Sequence, residues 1–243
     1  MAWTYVKKWA VSMAAPTAAT LLLAACQTSS GPSYDYTEFE RSNPRSILVV
    51  QPANASVEVK APFSVLAQTT KPLAESGYYV FPVALVNETF RENGIDAGEE
   101  IQQLELSKLK AIYGPDAILF IDVQEYGTKY QVISSVTKVS AKARLLDANT
   151  GTVLWQGEST IVVDPNQGNN SLLGAMVSAV VNQIAGKLSD KAYGVAGQMD
   201  NNLLSADVRN RVLYGPYHSK YTNRAVSVQA SGDSVPVAVA VTE

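Results

Sequence analysis

The chain has 243 residues, a formal net charge of −3, one cysteine and one histidine. That charge gives no footprint for a nucleic acid, and a lone His with no Cys-x-x-Cys or His-x-x-x-His spacing argues against a zinc site. Hydrophobic residues make up 47% of the chain, enough to build a core without disulfides.

Lys7 and Lys8 precede an uncharged run from Trp9 to Leu23. A membrane-spanning helix needs about 20 apolar residues, and this run is shorter and interrupted by Pro16. A basic start, a short apolar core and small residues before a cut are the marks of a secretory signal. Leu23, Ala24, Ala25 and Cys26 match the lipobox of bacterial lipoproteins. The match implies a signal peptide over residues 1–25. It also implies that Cys26 becomes the first mature residue, with a diacylglyceryl group on sulfur and an acyl chain, a palmitate, on its amine. Several chains at about 0.8 kcal/mol per buried CH₂ make a stable anchor, where one chain binds only reversibly. Lipoproteins kept in the inner membrane usually carry Asp after the cysteine. Gln27 therefore implies the outer membrane, with the domain facing the periplasm.

Residues 26–43 are polar and read as the lipidated cysteine and a flexible tether, with Tyr34, Tyr36 and Phe39 among its charges. Ser46 to Val50 is an aliphatic run, the pattern of a strand buried on both faces. The spacing of Phe63, Leu66, Ala67 and Leu73 predicts a helix over 61–75, distorted near Pro72. A strand follows at Tyr78–Phe81, then a helix from Val83 to Asn93 closed by Gly94. Asp96 to Glu99 has the form of a capping box with Asp96 as the cap. Ser107 is placed to cap a helix ending at Gly114-Pro115. Ala117 to Val123 predicts another buried strand. Strands alternating with helices imply parallel neighbours in a covered sheet.

The pattern then changes. Val139, Ala141, Ala143 and Leu145 alternate with Ser140, Lys142 and Arg144, which gives one covered and one wet face. The run from Tyr130 to Leu146 joins Val153–Val163 through the turn formers Asp147 to Gly151, so an antiparallel hairpin is expected. The fold class is α/β with a mixed sheet, a parallel part plus a long hairpin. Ser171 to Leu188 is an apolar stretch read as a core helix, with membrane insertion or an oligomer interface as the alternatives. A weaker helix continues to about Asn210. The domain is expected over 44–210, with a C-terminal extension over 211–243 that ends in a disordered tail from Ser227.

Groups for chemistry are scarce. His218 sits in a turn-rich stretch, with no Gly-x-Ser-x-Gly elbow to present a serine. Asp122 and Glu125 flank a predicted strand end, where α/β sites form, but have no partner base. Lys138, Lys142 and Arg144 face Glu158 on the wet side of the hairpin and read as a solvated face; Trp155 is expected in the core or at its edge. The residues name no catalytic group, metal ligand or cofactor.

Asn43 to Val49, Lys71 to Pro82, Arg91 to Gly94, Gly127 to Tyr130, Gly151 to Glu158 and Leu213 to Pro216 together resemble a family of bacterial outer-membrane lipoproteins of unknown function, the GNA-type antigen lipoproteins. The resemblance spans roughly residues 43–221. It implies a three-layer sandwich similar to the N-terminal domain of TolB. It also implies a non-enzymatic part of an envelope transport or assembly complex, with envelope proteins as partners and a homodimer among the arrangements. Alternatives are a curli-type secretion-pore subunit, an activator of a peptidoglycan-synthesis enzyme and, more remotely, an envelope hydrolase.

Overall fold

Ile47, Leu48 and Val49 are all buried, so strand β1 (Ser46–Val49) is covered on both faces, as its unbroken aliphatic run predicts. The computed structural model describes residues 34–130, 135–164 and 191–222, and residues from Asp35 onward form one compact unit. The lipobox at 23–26, the apolar stretch at 171–188 and the tail from 227 lie outside the described residues. Among the described residues no helix is long and apolar enough to cross a membrane.

β1 is flanked in parallel by β3 (Tyr79–Val80) and β4 (Ala117–Tyr130), and β2 (Ala53–Asn54) runs parallel to β4 further along. β4, β5 (Ser135–Asp147) and β6 (Val153–Val163) follow as antiparallel neighbours. The order β3-β1-β4-β5-β6 is the expected mixed sheet.

Helices cover both faces and make three layers. On one face α2 (Ala61–Glu75) packs beside α6 (Lys191–Leu204), and α6 lies across β4, β5 and β6. Val195, Met199 and Leu203 of α6 are fully buried, and so is Trp155 of β6. On the other face α3 (Val83–Glu92), α4 (Gly98–Ile101) and α5 (Leu106–Tyr113) bury Val86, Phe90, Ile101 and Leu109 against Leu48, Ile118 and Phe120. At about 25 cal/mol per Å² of apolar surface, burial on this scale is the main stabilising term.

Several boundaries differ from the sequence expectations. The strand from Ala117 does not stop at Val123 but runs to Tyr130, because β5 pairs with it all the way to Tyr130↔Ser135. A register shift between Val123 and Glu125 sets Tyr126 opposite the buried Val139 and re-aims the side chains beyond it. The capping box does not form. Ala97 takes the cap position without a side-chain bond, and Glu99 accepts the backbone N–H of Asn54 at 2.6 Å instead. Ser107 lies inside α5, whose cap position is Glu105. α6 ends at Leu204 rather than near Asn210.

The domain limits shift as well. Residues from Asp35 to Asn43, expected in the tether, belong to the domain. α1 (Thr37–Ser42) buries Phe39, the Tyr36 hydroxyl donates to the Arg211 carbonyl, and Ser42 Oγ donates to Asp147 Oδ2 at 2.6 Å. The supposed extension from 211 is a strap that packs back to Tyr221. Gly215 N–H donates to the Ser76 carbonyl at 2.8 Å, Tyr217 N–H to that of Gly77 at 3.1 Å, and Tyr78 Oη to that of Leu213 at 2.6 Å. Tyr221 Oη closes the strap onto Asn43 Oδ1 at 2.8 Å. Two aromatic-bearing polar segments therefore fold because each supplies the other's partners.

A candidate interaction surface on the open sheet face

The layer formed by α3, α4 and α5 covers β1 and the first half of β4, while the hairpin continues past it. Period-two alternation places Asp122 of β4, Lys142 and Arg144 of β5, and Gln156 and Glu158 of β6 on this uncovered face. Together they line a shallow depression of about 470 Å³. On the opposite face of the same strands, Ala141, Ala143 and Leu145 are buried and α6 covers them.

The charges form columns. The acids Asp122 and Glu125 stand on β4, the bases Lys138, Lys142 and Arg144 on β5, and Glu158 on β6. Lys138 Nζ donates to Glu125 Oε1 at 2.7 Å, and this hydrogen bond holds the Glu125 carboxyl below its ordinary pKa. Arg144 lies 4.0 Å from Asp122, with its guanidinium carbon 6.0 Å from the centre of the Phe120 ring. Its Nη2 reaches Gln102 Oε1 at 3.4 Å, which ties the depression to the end of α4. Lys142 and Glu158 are register partners, yet neither side chain makes a hydrogen bond or ion pair among the described residues, although the Glu158 charge acts on Arg211. An exposed pair left open in this way is available to a ligand at little desolvation cost.

At the far end of the sheet the loop after β2 raises Val57 and Val59 into solvent, 94% and 82% exposed. It lines a second depression of about 330 Å³ with Gln124, Tyr126 and Lys138.

The sequence-predicted residues divide clearly. Lys138, Lys142, Arg144 and Glu158 share one face, as expected. Asp122 and Glu125 do not flank a strand end; they sit within β4 and face the basic column. His218 lies far along the strap, stacked on Tyr214 at 4.3 Å between centroids, and its Nδ1 accepts the backbone N–H of Lys220 at 3.0 Å. It is a docking residue of the strap and meets neither Asp122 nor Glu125. Trp155 is core, its indole N–H donating to the Asn210 carbonyl at 3.2 Å. Sequence reading missed Phe120 and Gln102, which hold Arg144; the only signal for either was its place in an apolar run or a helix end.

It also missed Asp200. This residue of α6 is fully buried, and neither carboxyl oxygen has a hydrogen-bond partner among the described residues. Burial pushes its carboxyl well above the ordinary carboxylate range. A polar residue inside the stripe Val195-Met199-Leu203 was the available sign.

The chain matches the family model "Putative lipoprotein GNA1162-like" over residues 34–217. It is 51% identical over 199 residues to the protein named "Putative lipoprotein NMB1124/NMB1162" of Neisseria meningitidis serogroup B, covering 82% of this chain and 93% of that relative. The crystal structure of lipoprotein GNA1162 from Neisseria meningitidis is 52% identical and superposes with a TM-score of 0.50, covering 59% of this chain and all of that one. A lipoprotein is held at a membrane of the cell envelope through its acyl chains. With a match that begins at Tyr34 and runs to Tyr217, this chain belongs to the GNA1162-like lipoprotein family.

Proposed function

We propose that the protein is an outer-membrane lipoprotein, anchored through Cys26 and facing the periplasm. Its work is that of a non-catalytic, protein-binding component of an envelope transport or assembly complex. The observation that carries this reading is the open face of the β4–β5–β6 sheet. Three strands with a finished hydrophobic side present a mixed-charge side on which, among the described residues, the Lys142 and Glu158 side chains make no hydrogen bond or ion pair. Adjacent exposed charges of opposite sign suit a complementary polar protein surface and favour specificity and rate of encounter. The lipobox supports the address, and Gln27 after the cysteine supports the outer membrane.

The test is site-specific photocrosslinking in intact envelopes, with a crosslinking amino acid at Gln156 and, as the comparison, at Lys71 on the exposed side of α2. The expected result is a discrete protein adduct from position 156 that is lost in the Lys142→Glu variant. Absence of any adduct at 156, with the protein present in the membrane, would sink the reading.

A further inference from the structure

The corrected domain limit changes how close the protein stands to its membrane. Asp35 already belongs to the folded unit, so only eight residues, 27–34, separate it from Cys26. Whatever their conformation, these cannot span more than about 30 Å at 3.3–3.6 Å per residue. The 14 residues of β4 alone extend about 45 Å at 3.2–3.4 Å each. The end at which the chain enters is therefore held near the lipid surface, and the far end is not.

That end is well defined. Ser46, Tyr79 and Ala117 start β1, β3 and β4, and Asp147 closes β5 beside them. Asn43 leads into β1, and the strap packs against Ser76, Gly77 and Asn43. Three large apolar side chains are exposed around it: Tyr217 at 65%, Ile112 at 64% and Tyr79 at 51%. They are linked by named contacts. The Tyr217 backbone bonds Gly77, two residues before Tyr79; Tyr79 meets Phe81 at 5.2 Å between ring centroids, and Phe81 meets Tyr113, the neighbour of Ile112, at 6.4 Å. Tyr217 is not loose. Gly215 and His218 on either side of it are both pressed against Gly77, so the backbone holds the ring outward. Arg45 is exposed at the same end and makes no ion pair among the described residues.

We propose that this end of the domain rests on the phospholipid surface that carries the Cys26 acyl chains, with Tyr217, Tyr79 and Ile112 in the interfacial layer and Arg45 against the headgroup phosphates. Tyrosine suits that layer because its ring is apolar and its hydroxyl stays wet. The length of the segment after Cys26, and the end of the fold at which it arrives, select a lipid surface over a soluble partner. The inference rests on the lipidation of Cys26.

The test uses the full-length acylated protein, purified from membranes and placed in vesicles of phosphatidylethanolamine and phosphatidylglycerol containing dibrominated phosphatidylcholine. After cleavage before Cys26 the mature chain keeps one tryptophan, the buried Trp155, so a new indole reports its own position. Brominated lipid is expected to cut the added emission of Tyr217→Trp and Ile112→Trp by about half, as for rings at the headgroup boundary, and to leave Val57→Trp unchanged. Acylated protein that floats with the vesicles while neither Tyr217→Trp nor Ile112→Trp is quenched overturns the proposal and leaves the anchor standing. A blue shift of Tyr217→Trp that disappears on dilution, without quenching, assigns this end to a second copy and overturns it as well. A mass spectrum showing unmodified Cys26 overturns the anchor itself, and this orientation with it.

Discussion

Asp200 offers the sharpest test of the core. Its carboxyl is fully buried in α6, with both oxygens unpartnered among the described residues, and burial raises its pKa. The unfolded chain holds an ordinary aspartate, with a pKa of about 3.9. Below that value both states are protonated and the group costs folding nothing through its charge. As pH rises, the unfolded state releases its proton and the folded state keeps it, so stability falls until the folded pKa is reached. Each pH unit crossed costs about 1.4 kcal/mol, which caps the loss at about 4 kcal/mol between pH 4 and pH 7. Asp200→Asn keeps the shape and removes the titration, while still burying a polar amide at about 1–3 kcal/mol. The variant should match the wild type near pH 4 and exceed it at pH 8 by roughly 1–3 kcal/mol. For a domain of this size that is about 2–4 °C per kcal/mol. Circular-dichroism melts of both proteins from pH 4 to pH 8 measure it. A difference in Tm that is the same at both ends of the range, or a variant less stable at pH 8, refutes the account of Asp200 as an unpaired buried acid.

Two further substitutions test the strap and the anchor. Gly77 has φ +90°, and a β-carbon there would stand 2.5 Å from the backbone N and Cβ of His218. Gly77→Ala should destabilise the domain by about 2–4 kcal/mol, from left-handed strain and overpacking together, measured by urea unfolding; a loss under about 0.5 kcal/mol means that the strap is not held there. Cys26→Ser removes the thiol on which lipidation acts, so cleavage at this site and co-fractionation with outer membrane should both be lost. Normal fractionation of that variant overturns the lipobox reading.

Much of the local structure was legible in the amino-acid order. The run Ser46 to Val50 announces a strand covered on both faces, and Asp147 to Gly151 announces the turn between β5 and β6. Asp147 shows why that turn is so readable. Burial alone would raise its pKa, but the Ser42 hydroxyl and the backbone N–H groups of Thr150 and Asn149 outweigh burial and hold it below the ordinary value. The two backbone bonds come from the turn itself. The basic residues of the open face were likewise visible, because alternation along one strand assigns faces without knowledge of the neighbours.

The acids opposite them were not. Asp122 and Glu125 face Lys142 and Lys138 because β5 pairs with β4 across a register shift, and no pattern within residues 117–130 encodes that partner. The second half of β4 is too polar to be read as a strand by itself, and it is one because β5 supplies its hydrogen bonds. Residues 35–43 and 211–221 are similar. Each looks like a linker alone, and each is ordered by groups the other brings from more than 160 positions away, as in Tyr36 to Arg211 and Tyr221 to Asn43. The lipobox is the opposite case. Leu23 to Cys26 matches a short linear signal, and that match is read wholly from the residues themselves. The amino-acid order by itself thus gave the expected address, most of the secondary elements and the wet face of the hairpin, all read within one stretch of chain. The tertiary structure alone decided where the domain begins and which charges meet, because those depend on contacts between segments distant in sequence.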